Sequence, residues 1–255
     1  MDILKKLQDI KAEKGAIFFL LIDPDKATGH PLLCNENSHI LDKVDIILVG
    51  GSFLEDDNTD STYRLIRKYA GNTPLISFPG SSQQLSSYAD GILFTSLISG
   101  RNPTFLIEEQ VAGAQFIKKH KIPTISTAYI LIDSGKPTAV NKASSTKPLD
   151  REDTDNIASH ILAGQYLGMQ LAYLEGGSGA SEPIDDKTIE FVCKQADIPI
   201  IAGGGIRSPE KAKSLVNAGA SGIVIGNFAE ESKNIEKVEL IIDSVHSFSS
   251  KAIQM

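Results

Sequence analysis

Eight short apolar runs recur along the chain, and each is bounded by turn-forming residues. The runs are rich in β-branched residues and almost unbroken in apolar character, which is typical of parallel strands buried on both faces. Antiparallel strands with one face in water would alternate between apolar and polar positions. The pattern therefore predicts parallel strands over residues 16–22, 45–49, 74–78, 91–94, 123–131, 170–174, 198–202 and 222–225.

Helical segments lie between most of these runs. Besides an amphipathic N-terminal helix, they are predicted over residues 61–70, 103–120, 153–167, 185–196, 209–218 and 235–248. Residues 79–90 are too short and too polar for a good helix, so the third crossover is expected to be irregular. Residues 133–151 are polar and rich in turn formers, which predicts a long loop on the catalytic rim.

The alternation of strands and helices predicts an α/β fold, a (β/α)8 TIM barrel in which irregular structure replaces the third helix. The chain has 255 residues, and such a barrel commonly takes roughly 250 residues as one domain. We therefore expect a single TIM-barrel domain over residues 1–255. In such a barrel the carboxyl ends of the strands converge on the active site.

Composition and charge exclude several classes of protein. A net charge of -7 argues against a general nucleic-acid surface. Cys34 and Cys193 have no nearby Cys or His at metal-ligand spacing, so neither a disulfide framework nor a zinc site is expected. The chain shows no secretion signal at its N-terminus and no apolar run of the ~18 residues that a membrane span needs. A cytoplasmic protein is the default expectation.

Two glycine-rich turns close the last two predicted strands. Gly203, Gly204 and Gly205 follow one strand, and Gly226 with Asn227 follows the next. Glycine lets backbone N–H groups approach phosphate oxygens, and a helix N-terminus adds partial positive charge, so these turns predict a phosphate site. The alternative is that the triple glycine only makes a tight turn.

Two carboxylates stand at predicted strand ends. Glu175, followed by Gly-Gly-Ser-Gly, is the best candidate for a general base, because partial burial would raise its pKa toward neutrality. Its alternative is an ion pair with a basic neighbour. Asp23 precedes a proline, and with Ser52 it could supply the few protein ligands that Mg²⁺ needs beside substrate phosphates. Its alternative is an Asx-turn cap.

Other polar residues near strand ends are less decisive. Tyr173 lies two residues before Glu175 and could donate a hydrogen bond in the site or be ordinary core. Arg101 and Arg207 could hold phosphate groups or lie at the surface. The five histidines fall away from predicted strand ends, so a catalytic histidine is not expected.

The motifs LIDPDK, VGGS, SGRNP, YLEGGSGA, AGGGIRSPEKA and GIVIGN together resemble the geranylgeranylglyceryl phosphate synthase family, whose relatives include bacterial heptaprenylglyceryl phosphate synthases. The resemblance runs from about Ile17 to Asn227. It implies a (β/α)8 barrel that joins sn-glycerol 1-phosphate to a polyprenyl diphosphate, with Mg²⁺ as cofactor. Geranylgeranyl diphosphate is the expected donor, although the sequence does not fix the chain length. The resemblance also implies a homo-oligomer, a dimer or a hexamer, and transient contact with a membrane surface.

By motif, the resemblance assigns Mg²⁺ to Asp23 and Ser52 and the base to Glu175. The positions that it assigns to glycerol 1-phosphate are Tyr173, Leu174, Glu175, Gly176, Gly177, Ser178, Gly179, Gly204, Gly205, Gly226 and Asn227. In one branch of the family a lysine that assists phosphate binding stands where this chain has Leu21, and Lys26 is not assumed to replace it. Another phosphate-site barrel enzyme, such as a thiamine phosphate synthase-like protein, and a non-enzymatic phosphometabolite or lipid-binding protein remain the rival hypotheses.

Overall fold

The computed structural model describes residues 2–52 and 58–246, which form a closed barrel of eight parallel strands. Each strand pairs with its neighbours in sequence, and the last closes on the first through register pairs such as Phe19 with Val224. The predicted fold class is confirmed. The strands are β1 (Ile17–Ile22), β2 (Ile46–Val49), β3 (Leu75–Ser77), β4 (Gly91–Leu97), β5 (Thr124–Leu131), β6 (Leu171–Glu175), β7 (Ile200–Gly203) and β8 (Gly222–Ile225).

Helices lie between the strands, and all but the one over Ala139–Ser144 were predicted from the sequence. They are α1 (Ile3–Lys14), α2 (Thr59–Ala70), α3 (Glu109–His120), α4 (Ala139–Ser144), α5 (Thr154–Tyr166), α6 (Asp186–Gln195), α7 (Pro209–Asn217) and α8 (Ile235–His246). A π-helical turn over Thr104–Glu108 leads into α3. Residues 79–90, all of them described, hold one short 3₁₀ turn, so the irregular third crossover is confirmed. The last two positions of the predicted helix 235–248 lie outside the described residues.

The structure corrects the sequence-based expectation at two places. Residues 133–151 are not a simple loop, because α4 forms within them. Its cap is a reciprocal pair in which Thr138 accepts from the backbone of Asn141, and the Thr138 amide donates to Asn141 Oδ1 at 3.0 Å. Strand β4 also continues beyond Phe94 to Leu97, although Thr95 and Ser96 interrupt the apolar pattern.

Helix α1 closes one end of the barrel. Ile3, Leu7 and Ile10 are buried in one cluster with the side chains that point into the barrel, such as Phe19 and Ile76. A second apolar layer lies between the strands and the outer helices. The interior is therefore filled from the amino ends of the strands, and a site is expected at the opposite, carboxyl ends. Within the described part of the chain, no helix is long and apolar enough to span a membrane.

Asp45 anchors this closed end. Its carboxylate accepts hydrogen bonds from Lys14 Nζ at 2.6 Å, the Phe18 amide at 2.8 Å and His246 Nε2 at 2.7 Å. Burial alone would raise the pKa of Asp45, but the hydrogen bonds from His246, Lys14 and Phe18 hold it below its ordinary value. One buried carboxylate thus joins the ends of α1 and α8 to β1.

We expect Asp45→Asn to lower the free energy of unfolding by about 2 kcal/mol, because the amide loses the charge-assisted bonds to Lys14 and His246. Urea unfolding at neutral pH measures the loss. Since the folded state depresses the pKa of Asp45, its stabilisation is present above the unfolded value of about 3.9 and is lost as pH falls through the lower folded value. The two proteins should therefore converge in stability in strong acid, and a gap that persists there would contradict this assignment.

Candidate active site

Two adjoining cavities open at the carboxyl ends of the strands. The larger is a cleft of about 470 Å³, and the smaller is a pocket of about 80 Å³ beside β6, β7 and β8. Five residues line both: Leu21, Glu175, Ser178, Gly226 and Asn227. A ligand in the pocket and a ligand in the cleft would therefore meet along this shared wall.

Glu175 ends β6 at the junction of the two cavities. Its Oε1 accepts the Gly177 amide at 2.5 Å, and the hydroxyl groups of Tyr173 and Tyr129 also bond to its carboxylate. Burial raises the pKa of Glu175, and these hydrogen bonds offset part of the rise. No basic side chain of the described part of the chain is among these partners, so the ion-pair alternative is wrong. The carboxylate is suited to accept a proton from a bound hydroxyl.

An aromatic cluster supports Glu175 from inside the barrel. The rings of Phe78, Tyr129 and Tyr173 have centroids 5.3 to 5.6 Å apart. Burial and the neighbouring Glu175 carboxylate raise the pKa of both tyrosines well above the ordinary value, so both remain proton donors. Tyr173 thus packs in the barrel core and also lines the small pocket, two roles that the sequence left as alternatives. Tyr129 was missed; it lies opposite Tyr173 in the β5–β6 register, a pairing that requires the fold.

The small pocket has the character of an anion site. Gly177, Gly179, Gly204 and Gly205 line it, all with positive φ, and the N-terminus of α7 begins beyond them at Pro209. Glycines without side chains let a phosphate approach the backbone closely, and a helix N-terminus favours negative charge; the Gly177 amide itself is bonded to Glu175. Across the pocket, Ser178 Oγ donates to Asn227 Oδ1 at 2.9 Å and joins the loops after β6 and β8.

Two predicted ligand positions do not reach either cavity. Leu174 is fully buried in the layer between the strands and the outer helices, because alternate residues of β6 face opposite sides. Gly176 is also buried, and its amide donates to the Gly203 carbonyl at 2.9 Å. In this structure the two residues support Tyr173, Glu175 and Gly177 rather than line a cavity, and their contact with ligand stays a prediction.

Position 204 must be glycine because neighbouring backbone, not a bound ligand, occupies the space that a side chain would need. Its φ is 89°, and an added Cβ would come within 2.7 Å of the Gly177 nitrogen and 2.9 Å of the Gly176 backbone. A side chain here would therefore push apart the loops after β6 and β7.

We expect Gly204→Ala to weaken binding of inorganic phosphate in the small pocket and to lower the free energy of unfolding by more than about 1 kcal/mol, because the loops must separate. Gly179→Ala is the matched control, since Gly179 also has positive φ, at 72°, but nothing within 4 Å of an added Cβ. Thermal melting measures the loss of stability, which backbone strain at positive φ causes in both variants. Calorimetric titration measures the loss of affinity, which we expect only where the loops after β6 and β7 are pushed apart. Equal effects in the two variants would contradict the close-approach explanation.

The end of the cleft away from the small pocket carries side-chain oxygen atoms that could bind a metal ion. Asp23 and Ser52 both line it. Asp23 Oδ1 accepts the Asp25 amide at 3.1 Å, so the Asx-turn alternative is present together with exposure to the cleft. Burial raises the pKa of Asp23, which the Asp25 amide and Lys26 only partly offset. Among the described residues, no group of three or more His, Cys, Asp or Glu side chains is arranged to hold a metal ion.

The surroundings of Asp23 nevertheless fit a magnesium ion completed by substrate oxygens. An added Cβ on Gly51 would lie 3.0 to 3.3 Å from the Asp23 carboxylate, so the absence of a side chain there leaves space beside it. A carboxylate and a hydroxyl are hard oxygen donors, which Mg²⁺ prefers, and Mg²⁺ commonly takes only one or two protein ligands beside phosphate and water.

The basic residues that the sequence left open fall in three places. Lys26 lines the cleft, where its Nζ pairs with Glu230 at 2.9 Å. Arg207 lines the small pocket, and its guanidinium donates to the Ala180 carbonyl at 2.9 Å. Arg101 lies outside the lining of both cavities and donates to the Gly100 carbonyl at 2.6 Å. The structure therefore brings Lys26 and Arg207, but not Arg101, to the site.

Apolar surface forms the rest of the cleft. Helix α4 lies over it with Ala139, Val140 and Ala143, and its capping residue Thr138 packs directly against Gly177. Below it, Pro79, Gly80, Thr95 and Phe105 continue from the cleft into a further cavity of about 50 Å³ between β4 and α3. The irregular third crossover thus contributes Pro79 and Gly80 to the cleft, and α4 contributes the facing apolar surface.

A parallel barrel with a glycine-lined pocket beside a larger, mostly apolar cleft is typical of a phosphate-binding (β/α)8 enzyme. The chain belongs to the PcrB family, which it matches over residues 8–246. It is 39% identical over 239 residues to the geranylgeranylglyceryl phosphate synthase of Chitinophaga pinensis, covering 94% of each chain. The same enzyme of Thermococcus kodakarensis is 41% identical over 230 residues, covering 89% of each.

A solved structure agrees with the sequence comparison. The barrel resembles (S)-3-O-geranylgeranylglyceryl phosphate synthase from Thermoplasma acidophilum, determined in complex with its substrate sn-glycerol-1-phosphate. The TM-score is 0.86 at 34% identity, over 96% of this chain and 99% of that one.

Proposed function

We propose that this protein is a prenyltransferase that joins sn-glycerol 1-phosphate to a polyprenyl diphosphate, giving a prenylglyceryl phosphate ether and diphosphate. The observation that carries the proposal is the position of Glu175, a buried carboxylate at the junction of the anion pocket and the apolar cleft. Phosphate in the pocket would present the glycerol hydroxyl to Glu175, and a hydrocarbon in the cleft would present its first carbon to the same point.

The reaction follows from these positions. The bond between the first prenyl carbon and the diphosphate oxygen breaks, and the 3-hydroxyl oxygen of glycerol phosphate bonds to that carbon. Glu175 accepts the hydroxyl proton, while Tyr129 and Tyr173 hold the carboxylate in place. The apolar walls around Phe105 and Val140 exclude water, which would otherwise capture the allylic centre.

We propose Mg²⁺ as the cofactor, held by Asp23 and Ser52. When bound, it would neutralise charge on the departing diphosphate. The charge of the cleft supports this, because its described lining carries four carboxylates against the single cation Lys26: Asp23, Asp25, Glu175 and Glu230. A diphosphate would be repelled from such a cleft unless a cation accompanied it.

Incubation with labelled sn-glycerol 1-phosphate, Mg²⁺ and a series of prenyl diphosphates tests the function. We expect an ether product with the geranylgeranyl donor, little product from sn-glycerol 3-phosphate and none after chelation of Mg²⁺. Ligand binding without product would favour the rival binding protein. Turnover of a phosphorylated substrate without a prenyl donor would favour another phosphate-site barrel enzyme.

We also propose that the protein self-associates in the cytoplasm and touches membranes only to exchange lipid. Large apolar side chains are exposed at four positions of the outer layer: Ile107 in the π-helical turn, Val111 on α3, Tyr166 at the end of α5 and Leu167 directly after it. Exposed large apolar groups support an interface between copies. Sedimentation at equilibrium tests the proposal, and a monomer at micromolar concentration would contradict it.

A further inference from the structure

Gln84 connects the loops that follow β2 and β3. It ends the 3₁₀ turn Ser82–Gln84 of the third crossover and is buried, with 3% of its surface exposed. Its Oε1 accepts the amides of Gly51 at 3.2 Å and Gly80 at 3.1 Å, and its Nε2 donates to the Gly51 carbonyl at 2.9 Å. Both polar atoms of one buried amide are thus bonded to the backbones of two loops.

The two loops need such a connection, because they meet through glycines. A Cβ on Gly80 would overlap the Gly51 carbonyl oxygen, and a Cβ on Gly50 would overlap the Phe78 carbonyl oxygen. Side chains cannot fix a backbone at these positions, and glycine has the largest conformational freedom to lose. The hydrogen bonds of Gln84 restrict Gly51 at both its N–H and its C=O.

Gly51 in turn lies between Asp23 and Ser52. Its Cα carries no group toward the Asp23 carboxylate, where an added Cβ would stand at 3.0 Å from Oδ1, and Ser52 follows it directly in the cleft wall. We propose that Gln84 is a positioning residue that sets Gly51 and Ser52 relative to Asp23, and so shapes the subsite for the magnesium-bound diphosphate. The inference rests on the function proposed above and adds a residue that touches neither ligand.

The chemistry of the amide explains why glutamine stands here. A carboxamide offers an acceptor oxygen and a donor nitrogen on two separate atoms of one uncharged side-chain end, as the three bonds of Gln84 require. In Gln84→Glu, the ionised carboxylate could still accept both glycine amides but would face the Gly51 carbonyl with a second acceptor. In Gln84→Ala all three bonds are lost.

Calorimetric titration with inorganic diphosphate in the presence of Mg²⁺ tests the inference without turnover. We expect Gln84→Ala to weaken this binding about 10- to 100-fold, the usual cost of removing a partner that orients a metal ligand, and Gln84→Glu to weaken it less. Binding of sn-glycerol 1-phosphate should stay unchanged in both, since its pocket lies across the barrel on the loops after β6, β7 and β8.

Ser86→Ala is the matched control. Ser86 is buried in the same crossover, and its Oγ donates to Asp60 and accepts the Tyr88 amide, away from Gly51 and Gly80. We expect this variant to lose stability and keep the affinity for diphosphate. The inference is overturned if both Gln84 variants bind magnesium diphosphate normally, if they lose both ligands equally, or if Ser86→Ala has the same effect.

An Asp23→Asn arm separates the inference from the proposed function. If wild-type binding of diphosphate depends neither on Mg²⁺ nor on Asp23, the proposed metal site fails whatever the Gln84 variants do. If it depends on both and the Gln84 variants bind normally, only the positioning role fails. Should Gln84→Ala not fold, Gln84→Glu, which keeps two of the three bonds, carries the test.

Discussion

Glu175→Gln is expected to reduce turnover by about 10²- to 10⁴-fold, the usual contribution of a general base, while leaving the affinity for glycerol 1-phosphate largely intact. The amide keeps the size of the side chain and an oxygen for the Gly177 amide, but it cannot accept the hydroxyl proton. Single-turnover kinetics with saturating prenyl donor measures the loss directly.

The pH dependence of turnover gives a second readout. Burial raises the pKa of Glu175 above its ordinary 4.5, so the wild-type rate should rise with pH through a value above that, as the carboxylate becomes able to accept a proton. The glutamine variant should lack this limb. Glu230→Gln is the control, because Glu230 lines the same cleft but pairs with Lys26 at the rim. Retention of more than about a tenth of wild-type turnover in Glu175→Gln would remove Glu175 from the role.

Asp23→Asn is expected to lower kcat/KM for the prenyl diphosphate by about 100-fold at fixed Mg²⁺, at or above the cost of losing a supporting partner of a metal site. The neutral amide is a weaker ligand for Mg²⁺ and leaves the diphosphate charge less compensated. Raising Mg²⁺ should recover part of the activity. Glycerol 1-phosphate affinity should not change, because its pocket is built by the loops after β6, β7 and β8.

Asp25→Asn removes one charge from the same loop and serves as the control. Asn58 Nδ2 lies 3.4 Å from the Asp25 carboxylate and also donates to the Pro24 carbonyl, so we expect a smaller effect from this variant. Loss of glycerol 1-phosphate binding with a normal dependence on Mg²⁺ in Asp23→Asn would show that the two ends of the site have been assigned the wrong way round.

The barrel was predictable because its signal is local. Each strand is buried on both faces, so a short apolar run between turn formers identifies it even where its ends shift by a residue or two. Strand β4 was predicted too short, because Thr95 and Ser96 sit where the strand reaches the half-polar mouth of the barrel. Helix α4 was missed, since it is held by its cap and by contact with Gly177 rather than by an apolar stripe of its own.

Some features of the candidate site were likewise predictable from the sequence, and others depend on the fold. The placement of Asp23, Ser52, Glu175 and the glycine turns at the barrel mouth was predictable, because each lies within a few residues of the end of an apolar run and a barrel brings all such positions to one end. Leu174 and Gly176 were predicted with their neighbours; in the structure the alternation of the strand buries Leu174, and the Gly176 amide bonds to the Gly203 carbonyl.

The sequence by itself determined the order of strands and helices, the end of the barrel that carries the site, and the carboxylates and glycines at strand ends. Only the tertiary structure decided which groups surround them. Tyr129 meets Glu175 through the pairing of β5 with β6, Thr138 meets Gly177 through the fold of α4, and Gln84 meets Gly51 across two loops. Such contacts join residues that are 33 to 46 positions apart in the chain. Local propensity carries no information about them, because they form only when the packing of the whole barrel brings the strand ends together.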